Sequence, residues 1–503
     1  MVMRRREFLA LAGLAASSVL AGGCGAAGGG GSAPDGSLRA AFGQPVTDLD
    51  PYNAGTAVDE ASLIVKRLVF DTLVRRDGER LVPGLAARWR REGDTTWVFE
   101  LRGGVRFHDG TPLTARDVVA CLKRTQSVKS AQSSLWAAVT SARADGDHTV
   151  VFETDGPMAT LPVNLTLLFI VPERLVADPA QKRRPIGSGP FRVTGFTPST
   201  SVELARFDGY WNGPAALPGV SMPYIAETSS AITALRNGEV DLLWPVPSDQ
   251  LPEVRAGGVS VRTVPSWTYY LTWFHCGRRP FTDPRVRRAM CQALDLEEIV
   301  GRLFGAGAER MRAPIPPTVF GYAEQPPYAH DPGAARRALR DAGLGEGFTT
   351  SMMWFDATGP LARELAQTMI SSWAEIGVTV RPQSIEKAQW LQRLNVLDWD
   401  MELQTNTVTT GDAAFTLGRL YTSKANRMGY RNPELDGILA AAGREADGGR
   451  RAELYGRACR IIWSDAVGIF PAALTTAYGL RSDLTGFTPA ANNQPDLSAV
   501  RRG

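Results

Sequence analysis

Apolar and polar positions along the chain switch repeatedly between a period of about two and a period of about 3.6, the signatures of strand and amphipathic helix. Residues 36–42 read as an opening strand, and residues 62–73 carry Leu63, Ile64, Leu68 and Val69 at helical spacing. Residues 97–101 and 148–153 are short runs rich in β-branched and aromatic side chains, as strands are. Between them, residues 111–124 predict a helix with Thr114 as N-cap and Asp117 placed to close a capping box. Residues 161–171 are apolar but interrupted by Pro162. A strand is expected at 191–196, a helix at 231–236 and a buried strand after the turn at Asn237 and Gly238.

A second alternating run follows. Residues 269–274 predict a strand and residues 284–300 one helix with arginines on its outer face. The helix at 361–376 is stopped by Gly377 before the strand 378–380, a helix, glycine, strand order with a physical basis in the left-handed cap. Residues 399–403 predict a further strand, and 433–442 and 452–462 late helices. Strands and helices alternating throughout indicate an α/β protein. Residues 37–503 are also more than one core usually organises, so two or more lobes are expected.

The N-terminus changes the picture of where the protein works. Arg4, Arg5 and Arg6 precede an apolar run from Phe8 to Ala21. That run is shorter than the roughly 20 residues a membrane-spanning helix needs. The Arg-Arg-Glu-Phe-Leu order resembles a twin-arginine export signal, with an ordinary secretory signal as the alternative. Leu20-Ala21-Gly22-Gly23-Cys24 resembles a bacterial lipobox, although Leu20 stands four residues before the cysteine rather than three. Residues 1–24 are thus expected to be a signal peptide and Cys24 the lipidation site, with 25–36 a flexible Gly/Ser-rich tether. Charge is nearly balanced, 55 Lys and Arg against 52 Asp and Glu, and no basic block follows the signal, so a nucleic-acid partner is not indicated. With Cys24 set aside, Cys121, Cys276, Cys291 and Cys459 remain; a Cys276–Cys291 bridge and buried free thiols are both open.

Catalytic motifs are weak. There is no G-x-S-x-G elbow. Ser384-Ile385-Glu386-Lys387 is an S-x-x-K string without its usual companion motifs, and the glycines at 343–347 do not lead a strand into a helix. The four histidines, His108, His148, His275 and His330, are not paired at metal spacing, so neither a metal nor another cofactor is expected. In His108-Asp109-Gly110, the glycine permits a tight turn and Asp109 can cap it, so His108 reads as a structural hydrogen-bonding residue.

Several motifs recur in order: Leu49-Asp50-Pro51; Phe70-Asp71-Thr72-Leu73-Val74; Val82-Pro83-Gly84-Leu85-Ala86; the stretch 97–123; Gly187-Ser188-Gly189-Pro190-Phe191; Asn237-Gly238-Glu239-Val240-Asp241; 280–289; and Asn432-Pro433-Glu434-Leu435-Asp436. Together they make the chain resemble the family 5 extracellular solute-binding proteins of ABC importers, which include peptide- and nickel-binding members. The resemblance implies a two-lobe periplasmic-binding-protein-like fold. Lobe I would comprise 37–266 plus 478–503, with a subdomain inserted at about 56–172, and lobe II 267–477, the chain crossing near 265–275 and 468–480. It also implies a non-enzymatic, monomeric, lipid-anchored protein on the extracytoplasmic face of the cell membrane, closing over a small, peptide-like solute and delivering it to the membrane subunits of a permease. A ligand sensor for a membrane receptor, or a binder of oligosaccharide or metal chelate, would share the fold; an exported hydrolase is disfavoured.

For the ligand site the resemblance points first to residues 399–412, where a strand would run into a polar loop. Asp412 matches an aspartate that accepts an α-ammonium group in peptide-binding relatives, but Ala413 replaces the proline that follows it. Gln404, Asn406 and Thr407 suit amide or hydroxyl ligands. On the hinge strand, Tyr270, Trp273 and His275 alternate with Tyr269, so some would face the cleft and others the core. Relatives usually carry asparagine where this chain has His275. Tyr52, Asn53 and Trp244 are further candidates for the lobe I wall, with core packing the competing reading for the aromatics.

Overall fold

The computed structural model describes residues 34–503 except 57, 58, 79, 131, 257 and 356–358. The signal, Cys24 and most of the tether lie outside the described residues.

A mixed sheet runs through the molecule. Numbered in chain order, its main strands are β1 (Leu38–Phe42), β2 (Phe191–Thr197), β3 (Ser201–Arg206), β4 (Gly219–Pro223), β5 (Leu242–Trp244), β6 (Ser260–Phe274), β7 (Phe348–Phe355), β8 (Val378–Ile385), β9 (Met401–Thr407) and β10 (Ala472–Leu480). Their spatial order is β8-β7-β9-β6-β10-β5-β1-β4-β3-β2. β1 is parallel to both neighbours and buried along most of its length, which explains its nearly unbroken apolar sequence, Leu38-Arg39-Ala40-Ala41-Phe42. A separate antiparallel sheet of four strands, Ala86–Glu92, Thr96–Leu101, Thr149–Thr154 and Val139–Ala144, carries the helix Ala115–Ser127.

β6 and β10 are the crossing strands. β6 pairs with β10 over residues 260–265, and its register then shifts before Tyr269. From Thr268 to Phe274 it pairs with β9. One 15-residue strand therefore belongs to both halves of the sheet, with the irregularity falling between them, where a bend is easiest.

The His108 turn is structural. The ring Nε2 lies 3.0 Å from the Gly189 carbonyl and Nδ1 accepts from the Gly187 N–H at 3.3 Å. Burial drops its proton affinity to a pKa of about 4, so the imidazole is neutral. Next to it the Asp117 carboxylate accepts from the Thr114 N–H at 2.7 Å, as the capping-box reading requires.

Two expectations are corrected, and the open question of the cysteines is answered. Residues 284–300 form two helices, Pro284–Gln292 and Leu296–Phe304, because the Asp295 carboxylate accepts from the Glu298 N–H and starts a new helix. Arg287 is not on an outer face: it is buried and donates to the carbonyls of Phe281, Asp465 and Ala466. All four described cysteines are free, so the structure has no Cys276–Cys291 bridge; Cys291 is packed in the core and burial pushes its thiol up to about 12.

Candidate functional site

β9 ends in a polar tail. Sequence reasoning stops this strand at Leu403, but the ladder with β6 continues through Thr407, placing Gln404, Asn406 and Thr407 in the strand and leaving only 408–412 as loop. The reason is cross-strand pairing: Gln404 lies opposite Leu271, Asn406 opposite Tyr269 and Thr407 opposite Thr268. These polar positions are partly exposed, whereas the first three residues of the strand are buried. Solvent thus reaches the middle of the sheet at the crossing point.

Two polar chains meet there, one on each face of the crossing pair. On the first, the Thr268 and Thr407 hydroxyls are 2.8 Å apart, and Asn493 Nδ2 reaches both Thr268 Oγ1 at 3.4 Å and Glu60 Oε1 at 2.7 Å. Trp244 donates its indole N–H to the Asn493 carbonyl at 3.0 Å, fixing that residue from behind. Beside it, Gln494 accepts from Arg67. On the second face, Asn406 Nδ2 reaches the Tyr269 hydroxyl at 3.3 Å while its carbonyl accepts from Arg419 at 3.1 Å.

The electrostatics indicate a crevice. Glu60, Arg67 and Arg419 all retain partial solvent access. Yet burial raises the Glu60 carboxyl to a pKa of about 7 and lowers the Arg67 and Arg419 guanidinium groups to about 10. Each is thus a partly accessible group that protein largely surrounds, as in a crevice. Deeper on the Asn406 face, Glu402 is fully buried, accepts from the Trp390 indole at 3.1 Å and leaves Oε2 without a partner. Burial holds its carboxyl well above the usual range.

The structure places the other candidates differently. Asp412 is buried, and its two oxygens serve Arg451 at 2.9 Å and the Ala414 N–H at 3.0 Å. Tyr270 packs on Phe304 in the second core cluster, on the opposite face of β6 from Tyr269. Trp273 is buried and donates to the Tyr421 hydroxyl at 3.2 Å. His275 lies just past the far end of β6, its ring tilted against Trp399 with centroids 5.4 Å apart, and Nδ1 accepts from the Gly277 N–H at 3.2 Å; burial and then Arg278 lower its pKa. Tyr52 is buried and donates to the Phe169 carbonyl at 2.8 Å, while Asn53 caps its own turn through Gly55. Of the ten candidates, Gln404, Asn406 and Thr407 are drawn together at the crossing point, with Trp244 behind them. Tyr52, Asn53, Tyr270, Trp273, His275 and Asp412 make their polar or packing contacts elsewhere.

Glu60, Arg67, Thr268, Asn493, Gln494, Glu402 and Arg419 escaped sequence reasoning. Only the polar string Asn492-Asn493-Gln494 carried a signal, since it follows the last strand in a stretch with no helical or strand pattern. Among the described residues, no group of three or more His, Cys, Asp or Glu side chains converges to hold a metal ion.

Comparison with known proteins agrees with this architecture. A glutathione-binding protein from Pectobacterium atrosepticum is 26% identical over 472 residues, covering 89% of this chain and 90% of the relative. The dipeptide-binding protein of Escherichia coli K12 is 23% identical, with 87% and 88% covered. Among solved structures, the Helicobacter pylori periplasmic binding protein DppA, in complex with the peptide STSA, superposes with a TM-score of 0.83 at 24% identity, covering 93% of this chain and 98% of that one. That likeness establishes the two-lobe fold. The family model for the middle region of the bacterial extracellular solute-binding proteins, family 5, matches residues 80–427, and the chain belongs to that family.

Proposed function

We propose that the protein is the membrane-tethered receptor of an ABC importer, which captures a peptide-like solute between its lobes and passes it, chemically unaltered, to the permease subunits. The lobes in this reading are 37–266 with 478–503, carrying the inserted subdomain at about 56–172, and 267–477. The observation that carries the reading is the crossing-point crevice, where groups from helix Glu60–Val69, the C-terminal segment, β6 and β9 converge in a hydrogen-bonded network on one face and Asn406 meets Arg419 on the other. Such a crevice surrounds a small polar ligand with a few fixed donors and acceptors. Gln404, Asn406 and Thr407 are the contact residues we propose on β9, and Trp244 is a positioning residue for Asn493. Asp412 is proposed as part of the wall with Arg451 already neutralising it, so an ammonium group would share it rather than meet a free carboxylate.

Thermal unfolding with and without ligand tests this. A ligand at about 100 times its Kd adds roughly 2.7 kcal/mol to native stability and raises the midpoint. Di- and tripeptides, glutathione included, are expected to do so. A midpoint unmoved by every peptide would refute the peptide reading. The anchor is tested separately: Cys24→Ser is expected to release the protein from membranes, and continued membrane association would contradict lipidation at Cys24.

A further inference from the structure

Two arginines in this region are seated alike and neutralised differently. Arg451 lies over the Phe320 ring with its guanidinium carbon 4.3 Å from the centroid, and the Asp412 carboxylate balances its charge at 2.9 Å. Arg419 lies over the Phe415 ring at 4.8 Å, but the group in front of it is an amide, the Asn406 side-chain carbonyl at 3.1 Å. Its Nε is buried and has no partner. Among the described residues no Asp or Glu forms an ion pair with Arg419, and none does so with Arg427, the cation whose field acts on it. The nearest acid on that face of β9 by sequence, Glu402, is fully buried and engaged by the Trp390 indole rather than by Arg419.

The Arg419 guanidinium is therefore fixed without being neutralised. Asn406 is itself held by the Tyr269 hydroxyl at 3.3 Å and the Thr416 hydroxyl at 3.4 Å, so its carbonyl is aimed and the arginine fork is oriented before any ligand arrives. A half-desolvated planar cation with unused donors recognises a carboxylate in a bidentate, charge-assisted manner. A neutral sugar would leave that charge unanswered.

We propose that Arg419, oriented by Asn406 and Phe415, is the anion subsite of the cleft, and that the transported solute carries a carboxylate there. The proposal rests on the solute-binding reading and narrows its ligand class.

The test is calorimetric titration of the mature protein with trialanine, glutathione, their C-terminal amides, a panel of free di- and tricarboxylates, and a neutral oligosaccharide. Free-acid ligands are expected to bind, with amidation and Arg419→Gln each weakening them ~30-fold or more, as removal of one partner of a buried charge pair does. Arg419→Lys keeps the charge but loses the fork and is expected to fall between. Asn406→Asp supplies an internal carboxylate: it is expected to keep or raise the melting temperature while weakening the same ligands at least ~10-fold, which separates lost recognition from lost folding. Binding of non-peptide carboxylates alone, abolished by Arg419→Gln, would support the subsite and refute the peptide reading. Equal affinity for acid and amide, or unchanged affinity in both Arg419→Gln and Asn406→Asp, would overturn the subsite and leave the peptide reading standing. Binding of the oligosaccharide alone, or of no carboxylated probe, would overturn both.

Discussion

Glu60 holds a carboxyl whose pKa is raised from 4.5 to about 7 by burial, against a hydrogen bond from Asn493 that favours the charged form. The folded protein therefore binds more protons than the unfolded chain between those two values. Stability contributed at this site falls as pH rises from about 4.5 to 7 and is level above. Glu60→Gln keeps the acceptor for Asn493 and removes the titration. Relative to the parent, its gain in unfolding free energy should grow across that window to roughly 2–3 kcal/mol, read by urea titration at several pH values. A difference that does not change with pH would contradict the buried, network-bound placement of Glu60. His108 has the opposite sign. Its pKa is lowered, so the unfolded state takes up the extra proton and stability is lost as pH falls from about 6.5 towards 4.

At the scale of elements, the loop after β9 shows how tightly the crossing strands are locked. Gly411 adopts φ +64°, and a Cβ there would lie 2.5 Å from the Trp267 ring. The Trp267 main chain is pinned on both sides, its backbone N–H donating to the Ala491 carbonyl at 2.7 Å and its carbonyl accepting from the Val408 N–H at 3.0 Å, and the ring is buried. Gly411→Ala combines a left-handed backbone with overpacking and is expected to cost about 1–3 kcal/mol, measured as a shift in the urea midpoint. A change below about 0.5 kcal/mol would mean that the ring is free to move. Elements with a strong period or cap were legible from sequence: the helix opened by Thr114 and Asp117, and the helix Pro360–Glu375 stopped before Gly377. Two were not. The tail of β9 is polar because it faces a crevice, which erases the apolar alternation that announces a strand. Arg287 reads as surface because nothing local reveals the three carbonyls that close around it.

The whole molecule explains why the site was less legible than the fold. Two-lobe architecture follows from elements and motifs spread along the chain, each readable nearby. The crevice instead joins residues hundreds of positions apart: Asn493 lies 433 positions from the Glu60 it binds and 225 from Thr268. No local pattern encodes such a meeting; the register of β6 against β9 and β10 does. Contacts also bridge opposite sides of the crossing strands. The Ala159 N–H donates to the Gly443 carbonyl at 2.9 Å, and Lys387 stands 4.0 Å from Asp59. An exposed pair of that length contributes little to stability. The ion pair can therefore break at little cost when the lobes separate, and a ligand that touches both lobes favours their closure in proportion to its preference for the shut form.

That closure is the central claim, and small-angle X-ray scattering with recovery of the ligand examines it most directly. Saturating carboxylate-bearing peptide should reduce the radius of gyration of the mature protein, and mass spectrometry should return the peptide intact after denaturation. A radius unchanged at saturation, or a peptide recovered cleaved or modified, would contradict the account.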